Sequence, residues 1–129
     1  MMMRGTAISG SSPALKWIEA LMPVVDGIEK AIESGTVQLT TLADPTAHDI
    51  LSGWLEGQRV LLRRLLDLFE REGVRPIPAV GQPFDPRRHR AVEAADEPGM
   101  PAGVVVAERR RGYQTASRIL RFAEVVVSR

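Results

Sequence analysis

Chemistry in this sequence would have to come from two histidines, a few paired carboxylates and two groups of arginines. His48 and His89 lie far apart along the chain, and neither has a neighbouring set of metal ligands. We therefore expect a structural or surface role for His48, a structural role for His89 and no metal site. The acid pairs have helical spacing, which favours solvated surfaces over acid–base dyads. These pairs are Glu29 with Glu33 and Asp67 with Glu70.

Motifs for covalent or cofactor chemistry are absent from the sequence. There is no glycine-rich phosphate loop, no Gly-x-Ser-x-Gly and no His-Glu-x-x-His. The absence of cysteine excludes disulfides, thiolate zinc sites, iron–sulfur clusters and a cysteine nucleophile. We therefore expect a protein that is not an enzyme and needs no cofactor.

The arginine groups are Arg87-Arg88-His89-Arg90 and Arg109-Arg110-Arg111. Residues 1–56 carry 3 basic and 7 acidic groups, whereas residues 57–129 carry 14 and 9, so the second half is the positive one. These arginines could meet phosphates, but stacking aromatics are not interleaved with them, and in a strand Arg109 and Arg111 would share one face while Arg110 points away. Nucleic-acid binding is therefore only an alternative.

The composition indicates one modest domain. The chain has 129 residues, 44% of them hydrophobic, and its six aromatic residues favour aliphatic helix packing or an oligomer. The first residues lack the apolar stretch of a secretory signal, and no run approaches the roughly 20 apolar residues of a membrane span. We expect a cytoplasmic protein with a disordered tail over residues 1–11.

Two helices should follow the tail. Ser12-Pro13 and Asp44-Pro45 each combine an N-cap residue with a proline at the first helical position. The first helix is predicted over 13–33, bent by Pro23 and ended by Gly35, with a connector from Ser34 to Leu42. The second is predicted to run to Gly73, a residue suited to the C′ position.

The apolar faces of these helices are too wide for a simple helix pair to cover. Two helices with a short connector form an antiparallel pair, and a symmetric dimer with a four-helix bundle would cover the rest. Residues 12–73 are thus predicted to be a helical dimerisation region. The alternative is that packing of the two helices within one chain buries part of these apolar faces. The dimerisation candidates are Ile18, Leu21, Val25, Ile28, Leu51, Trp54, Leu61 and Leu65.

Residues 74–129 are predicted to form a small all-β module. Five prolines and glycines between Pro76 and Pro86 exclude a regular helix, and β-rich runs follow at Val104–Ala107 and Leu120–Val127. Arg118–Val127 is expected to form an outer strand. Strands grouped after helices indicate an α+β fold.

A series of motifs runs in order through the chain. They are Leu21–Ile32, Glu56-Gly57 with Leu66–Leu68, Gly73–Ile77, Pro83–Val92, and, after a spacer of 19 residues, Gly112-Tyr113 and Arg118–Val127. In this order and spacing they resemble the GrpE family, the nucleotide exchange factors of DnaK-type chaperones. The resemblance covers residues 15–129.

The resemblance implies a homodimer whose β-modules dock on the nucleotide-binding domain of a DnaK-type chaperone and hold its cleft open, so that ADP leaves. It implies a chaperone contact at Arg118 and Val127. The alternatives are that Arg118 is only a surface charge and that Val127 is only a structural residue of the sheet. The partner-binding candidates are Arg118, Val127, Gly112, Tyr113 and Leu120, and the family-motif turn is Phe84, Asp85, Pro86 and His89. Asp85-Pro86 should start a turn that His89 supports.

Three features depart from the family pattern. The long paired helix upstream of Leu21 is nearly missing, so we expect a shortened stalk. At a hairpin where relatives have a glycine together with Asn or Asp, this chain has Ala116-Ser117, so strain or a longer turn is expected. Phe122 takes a position that is usually a small residue or proline. A GrpE-like adaptor that binds a chaperone without productive exchange is thus a further alternative.

Overall fold

The computed structural model describes residues 13–129, and the tail expected over residues 1–11 lies outside them. Contacts divide the chain into two compact units, a helical unit that ends at Glu72 and a β-module, Gly73–Arg129. The predicted α+β class, with two helices followed by small sheets, is confirmed. Across residues 13–129, neither helix is long and apolar enough to cross a membrane.

The helical unit contains α1 (Pro13–Leu39) and α2 (Pro45–Arg71). The Asp44 side chain accepts a hydrogen bond of 3.0 Å from the Ala47 N–H, and Pro45 opens the first turn of α2. At the other end Glu72 is the C-cap, and Gly73 follows with φ of 81°. The predicted second helix and the C′ role of Gly73 are confirmed.

The predicted end of the first helix at Gly35 is wrong. The helix α1 continues through Gly35 to Leu39, so the connector is only residues 40–44 instead of Ser34–Leu42. A Cβ at Gly35 would lie 2.6 Å from Cδ2 of Leu55, a fully buried residue of α2. Gly35 therefore serves the close approach of the two helices and does not end α1.

The β-module contains six short strands in two sheets. The strands are β1 (Arg75–Pro76), β2 (His89–Ala95), β3 (Val105–Arg110), β4 (Tyr113–Gln114), β5 (Ile119–Arg121) and β6 (Ala123–Ser128). The first sheet has the order β1-β4-β5 and is antiparallel. The second has the order β2-β6-β3, in which β6 is parallel to β2 and antiparallel to β3.

The single outer strand predicted over Arg118–Val127 is wrong. Phe122 separates β5 from β6, the two strands belong to different sheets, and β6 is the central strand of its sheet. Gly112 lies directly against the backbone at this change of sheet. A Cβ on Gly112 would meet the Ala123 backbone N and lie 2.8 Å from both Ala123 Cα and the Arg121 carbonyl oxygen.

The core of the β-module lies on one face of β6. Its buried members are Ile77, Ala79, Val105, Ala123 and Val125, and Phe84, Ile119 and Val127 pack against them half-buried. Strand β2, which the sequence analysis missed, has five successive exposed residues, 90–94, and so carries no hydrophobic alternation. Its position follows from pairing with β6, which a local pattern does not encode.

Candidate functional site

The turn between β4 and β5 presents Arg118 to solvent. The Thr115 N–H donates to the Arg118 carbonyl oxygen at 2.8 Å, and Thr115 Oγ1 accepts hydrogen bonds of 3.2 Å from the N–H groups of Ser117 and Arg118. The hydroxyl thus takes the place of a backbone acceptor in the turn. No non-glycine residue within 13–129 has positive φ, so the strain expected at Ala116-Ser117 is absent.

Gly112 and Tyr113 lie inside the β-module. The Gly112 carbonyl accepts a 2.9 Å hydrogen bond from the Ile77 N–H, and the Tyr113 side chain is fully buried. The Arg121 guanidinium sits 5.2 Å from the centre of the Tyr113 ring and donates two hydrogen bonds, of 2.9 and 2.5 Å, to the Arg111 carbonyl. Gly112 and the fully buried Tyr113 therefore offer no side chain at the surface.

The other partner-binding candidates differ in exposure. Leu120 is half-buried in β5, an edge strand, close to the exposed Arg118. Val127 is half-buried in β6 and packs against the core. Of the five candidates, Arg118 therefore offers the most accessible side chain, and Leu120 and Val127 offer partial surfaces.

The turn from Phe84 to His89 is held by an aspartate and a histidine. Asp85 accepts hydrogen bonds from the backbone N–H of Arg87 at 3.0 Å and from its Nε at 3.2 Å, and these bonds hold the pKa of Asp85 below its ordinary value. The buried His89 ring accepts from the Asp85 N–H at 3.0 Å through Nδ1.

The second ring nitrogen of His89 also has a backbone partner. Its Nε2 lies 2.9 Å from the Pro78 carbonyl oxygen, and because a carbonyl only accepts, we assign the proton to Nε2. With both nitrogens engaged, His89 positions the turn and has no nitrogen left for a metal ion. Among residues 13–129, no group of three His, Asp or Glu side chains could hold one.

The second arginine group does not form a uniform cationic face. Arg109 pairs with Glu93 at 3.1 Å, and Arg110 pairs with Glu124 at 3.5 Å. The predicted sharing of one strand face by Arg109 and Arg111 is wrong, since β3 ends at Arg110 and a bulge between Glu108 and Arg110 breaks the alternation. Neighbouring glutamates thus weaken the attraction that a phosphate backbone would meet.

The dimerisation candidates fall into two groups by exposure. Ile18 and Val25 are buried within the protomer, and Ile28, Leu51 and Leu65 are half-buried. The remaining three, Leu21, Trp54 and Leu61, are exposed.

Other apolar side chains extend the exposed group. On α1, Trp17 (71% exposed) and Val24 flank Leu21, and on α2, Ile50 (69%) and Leu68 continue the row of Trp54 and Leu61. The spacings within these two exposed rows are three, four and seven residues, which places each row along one side of its helix. Sequence periodicity alone does not distinguish these rows from the buried ones.

Comparison with known proteins finds the same family over both units. The GrpE family model matches residues 12–129. The chain is similar to Protein GrpE of Geobacillus thermodenitrificans, with 40% identity over 108 residues (84% of this chain and 44% of the relative). It is 34% identical to Protein GrpE of Brevibacillus choshinensis over 113 residues (88% and 58%), and 34% identical to that of Legionella pneumophila strain Corby over 113 residues (88% and 51%).

The chain spans about half the length of these curated relatives. The match nevertheless includes α1, α2 and every strand of the β-module. On this evidence the chain belongs to the GrpE family.

Proposed function

We propose that this protein is an adenine-nucleotide exchange factor that binds the nucleotide-binding domain of a DnaK-type chaperone in the cytoplasm and accelerates ADP release. The observation that carries the proposal is the GrpE match over residues 12–129, which includes both units. The accessible Arg118, held at the end of a hydrogen-bonded turn, supports a protein contact at that end of the β-module.

Exchange of this kind needs no covalent step. The factor prefers the open state of the chaperone cleft and ADP prefers the closed state, so each ligand weakens the binding of the other by the same factor. A protein–protein contact through turns, half-buried apolar residues and arginines is sufficient for this coupling.

The test measures release of a fluorescent ADP analogue from the purified DnaK-type chaperone of the same organism, after addition of excess ATP. Wild-type protein should accelerate release, and Arg118→Ala should reduce the acceleration about tenfold, as expected for loss of an arginine contact. Arg63→Ala is the matched control, because it removes the same charge from an exposed arginine of α2. If the wild type does not accelerate release, the exchange function is wrong.

Two further measurements separate the alternatives. An adaptor would bind the chaperone, seen by calorimetry, without changing the release rate. A nucleic-acid-binding module would retard an oligonucleotide in a gel at low salt and lose this binding steeply as salt rises.

We also propose a homodimer formed through the two exposed rows of the helical unit. Five large apolar side chains are more than half exposed in one protomer, and such exposure to water is unfavourable. They are Trp17, Val24, Ile50, Trp54 and Leu68. Burial of these rows against a second copy would remove them from solvent.

Sedimentation equilibrium at about 10 µM, a concentration at which a micromolar dimer is populated, tests this association. Trp54→Glu should give monomers, whereas Ser52→Glu adds the same charge at an exposed site of α2 outside the row and should leave the dimer intact. A monomeric wild type would contradict the dimer and leave the exchange proposal to its own assay.

A further inference from the structure

A cavity of about 350 Å³ lies beside the Phe84–His89 turn, away from Arg118 in the sequence and not explained by the exchange function. This volume is at the lower end for ligand sites and suits one or two amino-acid side chains. The lining residues are Pro78, Gln82, Pro83, Phe84, Asp85, Pro86, Arg88 and His89.

The walls of this cavity are preorganised. The two ring nitrogens of His89 contact the Asp85 N–H and the Pro78 carbonyl, which fixes both sides of the cavity. Phe84 packs against the core and its ring centre lies 5.9 Å from that of His89. Three prolines and Phe84 supply the apolar part of a lining that also carries polar groups, and the proline backbone has little freedom to lose on binding.

One charged group of the lining has unused hydrogen-bonding capacity. Asp85 already contacts Arg87 and Arg88, so its carboxylate is not the group that a ligand would find available. Arg88 faces Asp85 through Nε at 3.7 Å, and its side chain is 47% exposed. Among residues 13–129, the terminal amino groups of Arg88 have no hydrogen-bond acceptor.

Arg88 thus lines the cavity with its Nε near Asp85 and, within residues 13–129, its two terminal amino groups unengaged. Two such groups match the two oxygens of a carboxylate. The charge of the module agrees with an acidic ligand, since residues 73–129 contain ten arginines and six carboxylates.

We propose that this cavity binds an acidic–apolar segment of a partner protein, with an Asp or Glu carboxylate on Arg88 and the adjacent apolar side chain on Phe84 and the prolines. The inference rests on the proposed function in taking the DnaK-type chaperone as that partner. It adds a second contact to the one at Arg118.

The experiment compares two neighbouring arginines. Arg88→Gln removes the guanidinium from the cavity, and Arg87→Gln removes the same charge from a side chain that is 86% exposed, contacts the same aspartate and does not line the cavity. Calorimetry with the nucleotide-free chaperone should show affinity about tenfold lower for Arg88→Gln and within about twofold of wild type for Arg87→Gln. Thermal unfolding of both variants controls for damage to the turn.

A third variant approaches the cavity without touching the turn. Gln82→Glu places a carboxylate on the lining, where it would compete for Arg88, and should also weaken binding. Equal affinity of wild type, Arg88→Gln and Gln82→Glu, with Arg118→Ala still weakened, would overturn the cavity proposal while the exchange function stands.

A second readout does not depend on the chaperone. In an NMR titration of the full chain with the acetylated and amidated dipeptide Asp-Leu, the Arg88 Nε–Hε signal and the amides of residues 82–89 should shift, and Arg88→Gln should abolish these shifts. If wild-type protein fails to bind the chaperone but these shifts occur, the exchange function is wrong and the cavity remains a carboxylate site. Absence of shifts up to about 10 mM peptide, a weak affinity for so small a ligand, overturns the proposal.

Discussion

Replacement of Gly112 by alanine should destabilise the β-module, because the added methyl group would collide with the backbone of a neighbouring segment. It would meet the Ala123 N and lie 2.8 Å from Ala123 Cα and from the Arg121 carbonyl oxygen. Backbone atoms in a paired strand cannot rotate away, so the cost should lie at the upper end for overpacking, about 3 kcal/mol. Alanine also lowers the entropy of the unfolded chain, which stabilises the fold by about 0.7 kcal/mol. The free energy of unfolding should therefore fall by about 2 kcal/mol in total.

Two other glycines provide matched controls. At Gly35 the new Cβ would lie 2.6 Å from the end of the Leu55 side chain, which can change rotamer, and the gain in helix propensity of about 1 kcal/mol should offset most of the cost. At Gly53 nothing lies within 4 Å, so alanine should stabilise α2 by about 0.7 kcal/mol.

Urea unfolding followed by circular dichroism measures these free energies, and hydrogen exchange at the amides of β6 locates the effect. Trp17 and Trp54 both lie in the helical unit, so tryptophan fluorescence reports on the unfolding of that unit. Unfolding of Gly112→Ala within about 0.5 kcal/mol of wild type, the usual effect of a surface change, would refute the account of the crossing between the sheets.

Further predictions concern three polar side chains of the β-module. The folded-state pKa of Asp85 lies below its unfolded value, so its ionised form stabilises the fold above the unfolded pKa, and this contribution disappears as pH falls through the folded pKa. Between pH 7 and about pH 2, the melting temperature of Asp85→Asn should therefore fall less than that of wild type. Parallel curves of melting temperature against pH for the two proteins would contradict this. The buried Ser128 Oγ donates to the Pro101 carbonyl at 2.6 Å and accepts from the Val104 N–H at 3.0 Å, so Ser128→Ala should lower the free energy of unfolding by about 2 kcal/mol in urea. Thr115→Val should cost about 1 kcal/mol through loss of the hydroxyl acceptor in the β4–β5 turn, whereas Thr115→Ser should remain near wild type in the same assay.

The features that the sequence predicted correctly depend on local signals. Asp44-Pro45 and Gly73 bound α2 because capping and positive φ are properties of a few neighbouring residues. Gly35 was predicted wrongly as a helix end, since a glycine that admits a neighbouring helix has the same sequence appearance as one that ends a helix. Only the position of Leu55, 20 residues later, distinguishes the two cases.

Non-local contacts explain what the sequence did not predict in the candidate site. The resemblance points to the motif residues Asp85 and His89, but the cavity beside them also requires Pro78 and Gln82, which come from the loop before the motif. The role of Arg88 depends on an anchor at Asp85 and on the absence of an acceptor at its far end within residues 13–129, neither of which spacing reveals.

The position of β6 between β2 and β3 has a consequence for folding kinetics. The strands β2 and β3 do not pair with each other, so no hairpin of these two strands can form first and serve as a template. Each must wait for β6, and the parallel β2–β6 pairing closes a loop of more than 30 residues, from His89 to Ala123. Such high contact order predicts folding of the β-module in milliseconds to seconds, slower than helix pairing, with the edges of β2 and β3 open to wrong partners until β6 docks.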